Sequence, residues 1–184
     1  MPLLNKVVIV TLLGALLAGA APGTPREELS EYQLKAAFLL NFARFVEWPS
    51  NSGTTDPLVI GIFGRNPFGT ALDQVINGKT INGRPLIVRR ISDPSGLQAC
   101  NLIFFPEPDS QRFGEAANKL ANLMVLTVGE SDGFAARGGM INFVVKDGRV
   151  LFEVNPAAAS RAGIKFSSKL LQLAIIVKDG AKAK

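Results

Sequence analysis

Two turn-like stretches hold the side chains best placed to do chemistry. The first is Gly61-Ile62-Phe63-Gly64-Arg65-Asn66-Pro67-Phe68-Gly69. Gly64 permits a tight turn, Asn66 suits a helix cap, Pro67 suits a first helical position, and Arg65 sits beside free backbone N–H groups. Gly64, Arg65 and Asn66 therefore offer a resting place for an anion. The glycine spacing matches neither a phosphate-cradling loop nor the dinucleotide fingerprint, and plain turn-and-cap architecture explains the same residues. The second stretch is Val128-Gly129-Glu130-Ser131-Asp132-Gly133-Phe134, which presents Ser131 as a helix cap and a further ligand contact between two carboxylates. Paired carboxylates do acid–base work or bind calcium. Acidic residues at a helix start also simply favour the helix dipole, and the run lacks the ligand repeat of a calcium-binding loop. Glu107 and Asp109, split by Pro108, have the same two explanations, and Lys35 and Arg44 read as solvated helix faces.

Two scarcities narrow the chemistry further. The chain has no histidine and one cysteine, Cys100, which removes Ser-His-Asp triads, Cys-His dyads and zinc sites built on His or Cys. We expect no catalytic residue, no metal and no cofactor. Cys100 precedes the apolar run Leu102 to Phe105 and reads as a small buried residue at a strand entrance, with intermolecular pairing or redox sensing as the alternative. Net charge is +5, but Lys and Arg are scattered, with doublets only at Arg89-Arg90 and near the last residues, so nucleic acid is not an expected partner.

The first twenty residues read as an export signal. Lys6 supplies a positive start, Val7 to Gly19 is almost uninterruptedly apolar, and Ala18-Gly19-Ala20 has the small-x-small pattern of a cleavage site. The apolar run is shorter than the roughly 20 residues a membrane span needs, which disfavours an uncleaved anchor. A periplasmic location follows, with 21–184 expected as one domain and its ordered core at about 30–178. Hydrophobic residues at 47% and charged residues at 19% suit a globular chain with a real core.

From Glu27 to Trp48 the pattern is helical and stops before Pro49. Gln33, Asn41, Arg44 and Glu47 fall in one narrow polar stripe. Leu34, Phe38, Phe42 and Phe45 make one apolar side, and Leu39, Leu40, Ala43 and Val46 make a second. Either another layer of the same domain covers that second side or it is a partner or dimer surface. After the turn-rich connector Asn51 to Pro57, Leu58 to Phe63 reads as a buried strand, followed by a helix over Pro67 to Ile76. Strands follow at Leu86 to Ile91, Asn101 to Phe105 and Leu123 to Val128, with a helix at Gln111 to Ala121. Ile141 to Val145 and Val150 to Val154 flank Asp147-Gly148, a strong hairpin signal. Pro156 to Ala162 reads as a short helix. Ser167 caps a last helix through Val177, so apolar that burial is expected. The fold class is α/β: a three-layer domain with a mostly parallel sheet of about five or six strands, an antiparallel hairpin edge and helices on both faces.

The helix Lys35-Ala36-Ala37-Phe38-Leu39-Leu40-Asn41-Phe42-Ala43-Arg44-Phe45-Val46-Glu47-Trp48-Pro49 resembles the opening of the YfiR family of periplasmic proteins. The likeness continues in order through Gly61 to Gly69, Cys100 to Phe104, Leu126 to Val128, Gly133-Phe134, Gly138 to Phe143, Phe152 to Asn155 and Ser167 to Leu171, covering roughly residues 33 to 177. The resemblance implies a repressor that binds the periplasmic sensor portion of an inner-membrane diguanylate cyclase and lowers cyclic-di-GMP, hence biofilm output. It also implies sequestration by an outer-membrane lipoprotein, and a homodimer. The resemblance also brings redox control through an internal disulfide, which a chain with Cys100 as its single cysteine cannot form. The alternative is a stand-alone periplasmic module that binds a small anionic ligand.

Overall fold

The computed structural model describes residues 30–48, 56–107, 112–120 and 123–180. The expected export signal, most of the connector 51–57, and Asp109 lie outside the described residues. The chain opens with α1 (Glu31–Phe45) and β1 (Val46–Glu47), then β2 (Leu58–Phe63), α2 (Ala71–Ile76), β3 (Thr80–Ile81) and β4 (Arg84–Ile91). A 3-10 turn over Pro94–Ala99 leads to β5 (Leu102–Phe105), α3 (Phe113–Leu120), β6 (Leu126–Gly129), β7 (Ile141–Lys146) and β8 (Arg149–Val154). The end is α4 (Pro156–Arg161), β9 (Lys165–Phe166), α5 (Ser168–Leu173) and β10 (Ile175–Ile176).

Eight strands form one sheet in the order β10-β8-β7-β6-β5-β2-β4-β3, and β1 pairs with β9 apart from it. The six strands read from apolar runs are all present. The two extra ones, β3 and β10, are only two residues long, too short for periodicity to reveal. The centre β4-β2-β5-β6-β7 is parallel, while β7 and β8 are antiparallel through a turn at Asp147 (φ 51°) and Gly148 (φ 70°). Two adjacent positive φ values are what a two-residue hairpin turn requires.

Continuous burial along β2, β5 and β6 reflects cover on both faces. On one face, α1, α2, α4 and α5 enclose a core with Ile60, Phe104, Val128 and Phe143. On the other, α3 and the 3-10 turn cover Phe63, Ile103, Phe105 and Phe134. Helix α1 starts with a capping box, Ser30 Oγ accepting from Gln33 N while Gln33 Oε1 accepts from Ser30 N. It ends three residues earlier than its pattern suggested, because Val46 and Glu47 extend to pair with Phe166 and Lys165. Trp48 folds back to donate to the Ala43 carbonyl at 2.7 Å.

Four expectations need correction. Leu39, Leu40, Ala43 and Val46 are 0%, 7%, 2% and 5% exposed, so the chain's own core covers the second apolar side of α1 and leaves no surface there for a partner. Lys35 is 3% exposed rather than solvated. Helix α2 begins at Ala71 after Thr70, because Asn66 holds a turn of its own: Oδ1 accepts from Phe68 N and Nδ2 donates to Gly69 O. The final helix stops at Leu173, and the apolar tail becomes β10, with Leu173, Ile175 and Ile176 at 72%, 46% and 54% exposure. Chain order explains this last one. Val177 N reaches Val154 O, so the tail satisfies its backbone as an edge strand rather than as another buried turn of helix.

Cys100 is buried, and its Sγ would lie 2.7 Å from a Cβ added at Gly61. Burial pushes its thiol pKa up, with Arg89 opposing weakly. A thiol so placed is a poor nucleophile. Native protein is expected to react slowly with a disulfide reagent and to titrate as one thiol in denaturant. Fast native labelling would show an accessible Cys100.

Candidate functional site

The carboxyl ends of β2, β5 and β6 meet the first turn of α1, and the bonds between them are made by few residues. Helix α1 lies across the sheet because Phe42 packs edge-on to Phe152 at 5.0 Å and against Phe143 at 5.5 Å. That contact sets Tyr32 and Lys35 over the end of β6. Glu130 follows β6 directly, and its side chain is 4% exposed. Its Oε2 accepts from Lys35 Nζ at 2.6 Å, and its Oε1 accepts from Tyr32 OH at 3.2 Å and Glu107 N at 3.0 Å. Lys35 also pairs with the more exposed Glu31 at 2.5 Å.

Burial alone would lower the pKa of Lys35. Hydrogen bonds and Coulombic attraction from Glu130 and Glu31 outweigh it and hold the ammonium above the ordinary lysine value. Burial and the neighbouring Glu130 charge both push the Tyr32 phenol up. Tyr32 and Lys35 thus keep their protons into alkaline solution.

The turn after Glu130 is built on a ring. Phe134 is fully buried and contacts Phe113 and Phe105 at centroid distances of 4.5 and 5.8 Å. It lies so close to the backbone at Gly129 that a Cβ there would be 2.5 Å from the ring, and Gly139 is tighter still. Glycine at both positions is a close-approach requirement.

The structure brings the two sequence-identified turns together. Arg65 donates to the Glu107 carbonyl at 3.3 Å, and Glu107 in turn binds Glu130, so the ends of β2, β5 and β6 are linked. Gly64 has φ 83° and its N–H meets Ile91 O. Ser131 is 5% exposed and caps no helix: residues 132–138 form turns, and its Oγ accepts from Arg137 Nη2 at 2.9 Å. Arg137 also donates to the Asp132 carbonyl. The Glu130 carboxylate accepts from three donors, Lys35 Nζ, Tyr32 OH and Glu107 N. Among the described residues no group of three or more His, Cys, Asp or Glu side chains could hold a metal ion.

Beyond these strand ends lies a cleft of about 730 Å³. Its walls include Tyr32, Lys35, Glu130 and the protruding end of β7, residues Phe143 to Lys146. Lys35 was the residue sequence reasoning placed wrongly. Its signal was its position on the helix, about 200° from Gln33 and so opposite the polar stripe. Nearby, Asn142 is 1% exposed, donates through Nδ2 to Glu153 Oε2 at 3.0 Å, and leaves its Oδ1 without a partner.

Among the described residues, no helix is long and apolar enough to cross a membrane. A solved structure of a conserved domain protein from Vibrio cholerae O1 biovar El Tor is similar in fold, with a TM-score of 0.50 at 13% identity over 83% of this chain. This chain spans 61% of that protein's length. The model of the YfiR/HmsC-like family matches residues 32–175, from Tyr32 in the cleft to Ile175 on β10. That family regulates diguanylate cyclase signalling from the periplasm. The protein belongs to the YfiR/HmsC-like family.

Proposed function

We propose that this protein represses a membrane diguanylate cyclase by docking on the cyclase's periplasmic sensor portion, thereby lowering cyclic-di-GMP. The observation that carries this reading is the family match over residues 32–175. The cleft supports it, because its deepest ionisable groups, Lys35 and Glu130, are bound to each other and to Tyr32 rather than poised to react. Repression by contact needs only unequal affinity for two states of the cyclase, and about 3 kcal/mol shifts that equilibrium roughly a hundredfold.

Export with loss of residues 1–20, homodimerisation, and release by an outer-membrane lipoprotein belong to the same reading. A homodimer would use a surface other than Leu39, Leu40, Ala43 and Val46, which are internal. Deleting the gene in a strain that keeps its cyclase is expected to raise cyclic-di-GMP, and restoring the gene to lower it again. Equal nucleotide pools in the three strains would overturn the proposal.

A further inference from the structure

We propose that the cleft is a strand-docking site, in which an extended segment of a partner protein bearing lysine or arginine pairs with the overhanging end of β7. The reason is register. Pairing of β6 with β7 ends at Gly129↔Asn142, yet β7 continues to Lys146. On its other side β7 stays paired with β8 as far as Lys146↔Arg149. Around a two-residue turn the flanking pair exchanges hydrogen bonds, and alternation then commits Lys146, Val144 and Asn142 to β8. Val145 therefore turns its N–H and C=O toward the side that β6 has vacated, and it is 54% exposed. The overhang is held stiff by the tight turn and by the packing of Phe143 and Phe152 on α1, so a docked strand would have little to order.

Charge selects the occupant. Glu31, Glu107, Glu130, Asp132 and Glu153 line the cleft. Against them stand two ammonium groups: Lys35, which Glu31 and Glu130 already match twice over, and Lys146. The local surplus is negative in a chain whose net charge is +5. Tyr32 and Val145 add apolar surface on the α1 face of the sheet, and Val144 and Ile175 add it on the opposite face. A strand with its main chain on Val145 would turn alternate side chains to the two sheet faces, and each face offers both a carboxylate and an apolar contact, Glu31 with Tyr32 on one and Glu153 with Ile175 on the other. This inference rests on the partner-binding reading above and adds where, and by what chemistry, the partner is held.

The test titrates a ten-residue peptide alternating Lys and Val into the exported chain by calorimetry, with an alternating Glu and Val peptide as control. The Lys-Val peptide is expected to bind more weakly as salt rises and to slow amide exchange at Val145, and the Glu-Val peptide not to bind. Val145→Pro deletes an N–H that β8 does not use and should weaken binding by about tenfold, the worth of one backbone hydrogen bond. Glu107→Lys with Asp132→Lys, both at exposed positions, should abolish binding without touching the ladder, and decides the matter if the proline variant fails to fold. No binding of the Lys-Val peptide, binding that leaves Val145 exchange unchanged, or wild-type affinity in the folded variants overturns the site. In cells carrying the cyclase, full repression by the double lysine variant also overturns it while leaving the repressor reading intact. An unchanged nucleotide pool with the wild-type chain overturns the repressor reading, and the peptide titration then still decides the docking site.

Discussion

Glu130→Ala is expected to lower stability by about 3 kcal/mol, which for a chain of this size is a fall of about 6–12 °C in Tm. The deleted carboxylate leaves Lys35 nine-tenths and more buried with one exposed partner, Glu31, and leaves Tyr32 OH and Glu107 N without their acceptor. Uncompensated burial of a charge, rather than loss of attraction, sets the size of the effect. Glu31→Ala should cost under about 1 kcal/mol, because that member of the pair is solvent-screened. Lys35→Met combined with Glu130→Leu should recover part of the loss, since two apolar side chains leave no orphaned charge.

The pH dependence has a definite sign. Lys35 and Tyr32 both bind their protons more tightly folded than unfolded. Their contribution is therefore complete below the unfolded values, about pH 10, and is lost as pH rises through the raised folded values. Thermal melts between neutral and strongly alkaline pH should show the wild type losing Tm faster than Glu130→Gln. A parallel decline in both proteins would show that the network does not govern alkaline unfolding.

Phe134→Ala is expected to cost about 4 kcal/mol, as for other fully buried rings cut back to a methyl. The ring fills the space between Phe105, Phe113 and the bare backbone of Gly129 and Gly139. Gly129→Ala in the wild type should cost about 1–3 kcal/mol through overpacking against that ring. In the Phe134→Ala background the same change should be nearly neutral, because the atoms it strikes are gone. A double-mutant cycle by urea denaturation measures the coupling, and additive losses would place the strain elsewhere.

The fold was legible where local pattern decides it. Leu58 to Phe63 and Leu102 to Phe105 are apolar at almost every position because both sheet faces are covered, and Asp147-Gly148 announced its hairpin by turn chemistry alone. The two-residue strands carry no period to read. Ile175 and Ile176 were expected in a buried helix, since hydrophobicity reports that a segment avoids water and not which backbone geometry satisfies its polar groups. The site was less legible for a different reason. Lys35 and Glu130 are 95 residues apart, and their pairing depends on α1 lying across the end of β6, a tertiary fact no window of sequence contains. Arg65 and Glu107 were each noticed, but their link likewise spans 42 residues.

The rims of the sheet have a bearing on solubility. One flank, β4, carries Pro85 and the cations Arg84, Arg89 and Arg90 beside its short companion β3, and the opposite flank is β10, which offers only Ile175 and Ile176 as a template. Prolines, like charges and truncated margins all frustrate open-ended stacking of one molecule on the next. At these two rims, exposed greasy residues such as Leu173 stand beside margins that disfavour open-ended stacking.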